Sequence, residues 1–133
     1  VAAALAIAHA KIGQPRAICW IPARNAVVPE LFSRAVKPWL EGGPFPAMAL
    51  ASLRLQEDGG ISSEGLKFMI GQEFLLVGEG GNGADHLART AVRLVDWLVA
   101  HGPVTKDMKA VLAGTGAVFL EAHDSASIVA RCT

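Results

Sequence analysis

The residues best placed to do chemistry in this chain lie between positions 73 and 86. Glu73 sits inside an otherwise apolar stretch, ISSEGLKFMIGQEFLLV at residues 61–77. A carboxylate among apolar neighbours must reach solvent, pair with a cation or shift its pKa. The last outcome would suit general acid or base work. The structural reading of the same residues is a bulge at Gly71 and Gln72, with Glu73 turned outward toward Arg54 or Lys67 on a neighbouring strand. Just downstream, Gly78, Gly80 and Gly83 match the spacing GxGxxG, and Asp85 and His86 follow. Such glycines can let backbone amides approach a phosphate at the start of a helix. A dinucleotide site also needs a second parallel strand that ends in an acidic residue about twenty positions on. Asp107 is the best-placed acid, but Gly102-Pro103-Val104-Thr105 before it does not read as a buried strand. Asp85 would also repel a phosphate. The glycines are therefore read first as a connection, and no cofactor is implied. Glu73, Gly78, Gly80, Gly83 and His86 stand as the candidate ligand-binding set.

The remaining reactive residues fall into no chemical pattern. His123-Asp124-Ser125 has the composition of a triad, but three consecutive side chains seldom converge, so a turn is expected. His9, His86, His101 and His123 lack the spacing of a metal site, and no metal is expected. Cys19 and Cys132 are too far apart in sequence for a zinc knuckle and too few for a disulfide framework. They read as reduced thiols in a cytoplasmic protein.

Charge and composition narrow the partners. Twelve basic and twelve acidic residues give a formal net charge of zero, and the basic ones are scattered. Nucleic-acid binding normally leaves a basic stripe, and base stacking wants aromatic residues, of which tyrosine is absent here. Neither nucleic acid nor a membrane is expected as a partner, since the longest apolar run, residues 1–8, is too short to span a bilayer. The apolar share of 52% in so small a chain leaves apolar side chains for the surface, which predicts a homo-oligomer.

These residues must be positioned by a modest set of elements. Residues 1–12 read as a helix with Val1, Leu5, Ala8 and Ile12 on its apolar face, stopped by Gly13. Residues 17–21 read as a short buried strand, and Pro29 opens a helix striped by Leu31, Phe32, Ala35, Val36, Trp39 and Leu40. Alternation over residues 49–56, a turn at Asp58-Gly59 and alternation through Leu66, Phe68 and Ile70 predict a hairpin. A third helix carries Leu87, Ala91, Leu94, Val95 and Leu98 and stops at Gly102-Pro103. Residues 111–113, 117–123 and 128–130 read as closing strands. Mixed hairpins and helices over 133 residues predict a single α+β domain, a two-layer sandwich in which a mixed or antiparallel sheet is packed by about three helices.

The order of landmarks resembles an uncharacterised bacterial family of unknown function. The matching features are the Ala-rich helix at residues 2–10, the strand at 18–21, the Pro29-Glu30-Leu31-Phe32 helix start and the strand with its acidic-glycine turn at residues 52–60. Gly65-Leu66, the run from Gly71 through Glu73 to Leu76, and the helix ending in Gly102-Pro103-Val104 complete it. The resemblance implies an α+β fold, a bacterial origin and a segment preceding residue 1, so that the chain would be the C-terminal part of a longer protein. It carries no mechanism. The function expected is a non-catalytic domain that self-associates or binds a partner. The alternative is a small-molecule-binding domain or enzyme with its site near Glu73 and residues 78–86.

Overall fold

A computed structural model of the chain describes residues 1–79, 81 and 83–133. Its first half mixes helices with short strands. Helix α1 (Ala2–Gly13) ends at Gln14, which takes up a left-handed conformation. A two-stranded ribbon follows, β1 (Ile18–Trp20) and β2 (Asn25–Val27), linked by a 3-10 turn over Ile21–Ala23 that closes on a left-handed Arg24. Proline at the first helical position starts α2 (Pro29–Leu40), where it forfeits no intrahelical hydrogen bond. The single turn α3 (Ala47–Leu50) leads into β3 (Ser52–Leu55) and, across the Asp58-Gly59 turn, β4 (Ile61–Glu64). A second single turn, α4 (Lys67–Ile70), precedes β5 (Glu73–Val77). Helix α5 (Ala84–His101) then leads to β6 (Met108–Leu112), β7 (Gly116–Ala122) and β8 (Ser127–Cys132).

The six long strands form one mixed sheet in the order β3-β4-β5-β8-β7-β6. Every pairing is antiparallel except β5 with β8, which run parallel with Phe74 opposite Ile128 and Leu76 opposite Ala130. Alternation sends Ile61, Phe74, Leu76, Ala110, Leu112, Val118, Leu120, Ile128, Ala130 and Cys132 to one face, and all are buried. Helix α5 covers that face with Leu87, Ala91, Leu94, Val95 and Leu98, again all buried. Phe32 and Val36 of α2 and Leu50 of α3 extend the core, and each is fully enclosed. The result is the α+β architecture expected, with three long helices and a mixed sheet.

Three local readings are corrected. The alternation at residues 49–56 belongs to a strand only from Ser52; before it, Pro46 starts the α3 turn, which buries Ala47, Ala49 and Leu50 together. Leu66, Phe68 and Ile70 alternate without being a strand, because a left-handed Gly71 closes a helical turn there. On α1 the buried residues are Ala3 and Ile7, packed with Ala6 and Ala10 toward α2, while Val1, Leu5 and Ile12 are 98%, 64% and 87% exposed. The helix is apolar on both sides, so apolarity alone did not say which side the core would take.

Candidate functional site

Glu73 opens β5, and its carboxylate is committed to backbone. One oxygen accepts from the amides of Gly65 (2.8 Å) and Lys67 (3.0 Å); the other accepts from the Ser63 hydroxyl at 2.5 Å. Ser63 is buried, and its oxygen in turn accepts from the amide of Phe74 at 2.9 Å. This chain of bonds holds the exit of β4 and the start of α4 against β5. Hydrogen bonds to an ionised acceptor are the stronger kind, so Glu73 acts as a clamp. Lys67 meets it through its amide rather than through its ammonium.

The other candidate residues lie at the far end of the strand. Five residues of extended chain separate Glu73 from Gly78, about 16 Å. Gly83 caps α5, and a Cβ added to it would meet open space, so no close approach of backbone requires glycine there. His86 is exposed in the first turn of α5 beside Asp85. Gly80 lies outside the described residues. Gly83 and His86 thus lie at the start of α5, Gly78 follows the end of β5, and Glu73 is set apart at the other end of that strand. His123-Asp124-Ser125 forms a turn in which the Asp124 carboxylate accepts from the Ala126 amide at 2.7 Å. The Ser127 hydroxyl, with that amide, holds the Asp124 carboxyl below its ordinary value. Among the described residues no three His, Cys, Asp or Glu side chains gather to hold a metal ion, and no helix is long and apolar enough to cross a membrane.

A larger feature lies along β3, where the sequence offered no motif. A groove of about 700 Å³ runs between β3 and α5, lined by all four residues of β3, by Ile61, by Met48 and Ala51, and by Ala84, Asp85, Ala88 and Val92 of α5. Its volume falls within the range of ligand clefts. Among the described residues β3 is an edge of the sheet and pairs with β4 alone. The Gln56 amide bonds the Gly60 carbonyl at 2.8 Å, which sets the alternation of the ladder. Ser52 and Arg54 therefore aim their backbone at β4, while the N–H and C=O groups of Leu53 and Leu55 point outward to the groove.

The two ends of the groove carry opposite charge. At the Ser52 end, Glu64 is bridged by Arg24 (3.4 Å) and by Arg54, two guanidinium groups on one carboxylate. The Ser52 hydroxyl donates to the carbonyl of Ala23 at 2.6 Å and so moors the Arg24 turn to β3. The side chain of Gln72, at the head of β5, exchanges two hydrogen bonds with the backbone of Val104, just beyond α5. Hence α5 runs antiparallel to β5 and to β3, and its first turn, with Asp85, lies at the Leu55 end. The hairpin register pairs Ser52 with Glu64, and that spacing in sequence was the one available signal that Arg54 and Glu64 share a face. Arg24 gave no such signal, because only tertiary packing brings it there. Comparison with protein-family models, with curated proteins and with solved structures finds no match for this chain.

Proposed function

We propose that this chain is a non-catalytic cytoplasmic domain that works by assembling with a second copy of itself through α1. The observation that carries this reading is the uncovered apolar side of that helix. Val1, Leu5, Ala8 and Ile12 recur at spacings of four, three and four, which is the seam of a helix pair, and all four are exposed. A helix that is apolar all round is ordinarily buried all round. A second α1 fits the seam because Ala4 and Ala8 allow close approach. An antiparallel pairing also holds the two Lys11 ammonium groups roughly 13 Å apart, beyond the screening length of physiological salt.

The magnitudes favour a weak, concentration-dependent dimer. Burying what Val1, Leu5 and Ile12 now expose is worth at most about 5 kcal/mol per copy, or about 10 for the pair. Association costs about 4–15 kcal/mol, so the net gain is at most about 6 kcal/mol and the dissociation constant is no lower than some tens of micromolar. Light scattering from about 10 μM to about 1 mM tests it, since a gain near the upper bound puts the dimer within those concentrations. The mass should rise from 13.9 kDa toward twice that value, and Leu5→Glu should abolish the rise without altering the urea midpoint of the dilute protein. A constant mass, or a rise that Leu5→Glu leaves intact, refutes the reading.

A further inference from the structure

We propose that the groove between β3 and α5 takes a short extended peptide as an added antiparallel strand, with a basic residue at its start and an acidic residue at its end. Strand addition needs an edge with free backbone groups and a wall that accepts alternate side chains. Leu53 and Leu55 supply the edge. Ala84, Ala88 and Val92, four residues apart along α5, form one smooth apolar side of the groove, and the helix advances about 12 Å between the first and last of them. Leu55 and Met48, which line the same groove, are 72% and 74% exposed. Burial of such side chains gives an incoming strand an apolar contribution beyond its backbone bonds.

Charge complementarity fixes the direction and the sequence pattern. A strand antiparallel to β3 enters at the Leu55 end, beside Asp85, and leaves at the Ser52 end, beside Arg24 and Arg54. Asp85 stands on the α5 side of the sheet. Arg54 projects to the opposite side with Ser62 and Glu64, because successive residues of a strand alternate. The first residue of the peptide should therefore be basic and face α5. Two further α5-facing positions, each two residues on, should be apolar. The acidic residue should follow on the other side, where two guanidinium groups share the single Glu64 carboxylate and keep N–H donors to spare. Six residues satisfy this pattern, in the order basic, polar, apolar, polar, apolar, acidic. This inference is independent of α1.

The test is fluorescence polarisation with labelled, end-blocked Lys-Thr-Val-Thr-Val-Glu and the charge-reversed Glu-Thr-Val-Thr-Val-Lys. The first peptide should bind saturably with a dissociation constant below about 1 mM, and the second at least about tenfold more weakly, a difference of about 1.4 kcal/mol. Leu55→Pro removes an outward N–H without touching the β3-β4 ladder, and Ala88→Trp fills the groove from an exposed helical position. Either variant should weaken binding about tenfold or more. Absence of saturable binding, equal affinity for the two charge orders, or binding that survives both variants overturns the proposal. A solution dimer that Leu55→Pro returns to monomer would also overturn it, by making the β3 of a second copy the occupant. Leu5→Glu separates that outcome from pairing through α1.

Discussion

Replacing Glu73 by alanine removes the acceptor for three donors at once: the Ser63 hydroxyl and the amides of Gly65 and Lys67. A hydrogen bond to a charged group contributes about 1.5–3 kcal/mol, and an orphaned buried donor costs about 1–3. Water can reach Lys67, and Ser63 keeps its bond from Phe74, so the sum must be discounted. We expect Glu73→Ala to lose about 3 kcal/mol, a large fraction of the 5–15 kcal/mol typical of a domain. Glu73→Gln keeps one carbonyl oxygen for the two amides and loses chiefly the charge, for about 1 kcal/mol. Urea unfolding followed by tryptophan fluorescence reads both values, and an unchanged slope would show that the denatured state is not the cause. The clamp is refuted if Glu73→Ala lies within about 0.5 kcal/mol of the parent, the range of an ordinary surface change. A variant more stable than the parent would reverse the interpretation. Carboxylates kept for chemistry are often held at a cost in stability, and removing them relieves it.

Two further predictions test the neighbourhood and the acid limb. Gly65 has φ of +94°, and a Cβ there would come within 2.8 Å of the Cα and Cβ of Ala23, which is fully buried. Gly65→Ala therefore combines a left-handed alanine with a backbone clash, and should cost about 3 kcal/mol or more in the same urea titration; a loss under about 1 kcal/mol would mean that the Arg24 turn moves freely away. Asp124 has a folded-state pKa below its ordinary 3.8, mainly through the Ser127 hydroxyl, so its ionised form stabilises the fold above that value. This contribution fades as the pH falls through the folded pKa. The urea midpoint of the parent should exceed that of Asp124→Asn at neutral pH and converge with it well below pH 3.8, and a gap independent of pH would refute the assignment.

Periodicity made much of the fold legible, because long amphipathic elements announce their buried side. All five apolar residues assigned to the buried side of α5 lie there, joined by Thr90, which the pattern does not mark, and the Asp58-Gly59 turn places β4 antiparallel to β3. Short elements escaped for a physical reason. In α3 and α4 a single turn of helix and a strand of four residues present nearly the same apolar pattern, and the choice was made by Pro46 and by the left-handed Gly71. The parallel pairing of β5 with β8 was invisible, since nothing local in either strand records which distant strand will lie beside it. Glu73 stands out in the sequence as a carboxylate among apolar residues, but the side chains of Arg54 and Lys67 expected beside it are not its partners. Its partners are the Ser63 hydroxyl and two backbone amides, and amides carry no signature in the identity of a residue. The groove escapes the sequence because its edge is made of main-chain groups and one of its two arginines, Arg24, is positioned by the packing of the β1-β2 ribbon.

The place of β8 bears on how this chain is made. It follows the other five strands of the sheet in the chain, yet it lies in the middle of the sheet, between β5 and β7. Until it emerges, β3-β4-β5 and β6-β7 are separate pieces, each with an open inner edge and an apolar face that α5 alone must shield. Joining them requires a contact that spans more than fifty residues, from Phe74 to Ile128. Such long-range closure is slow and leaves strand edges exposed during synthesis. Vectorial translation therefore holds the sheet in two halves until β8 has emerged, and that interval is when it most needs protection from other nascent chains.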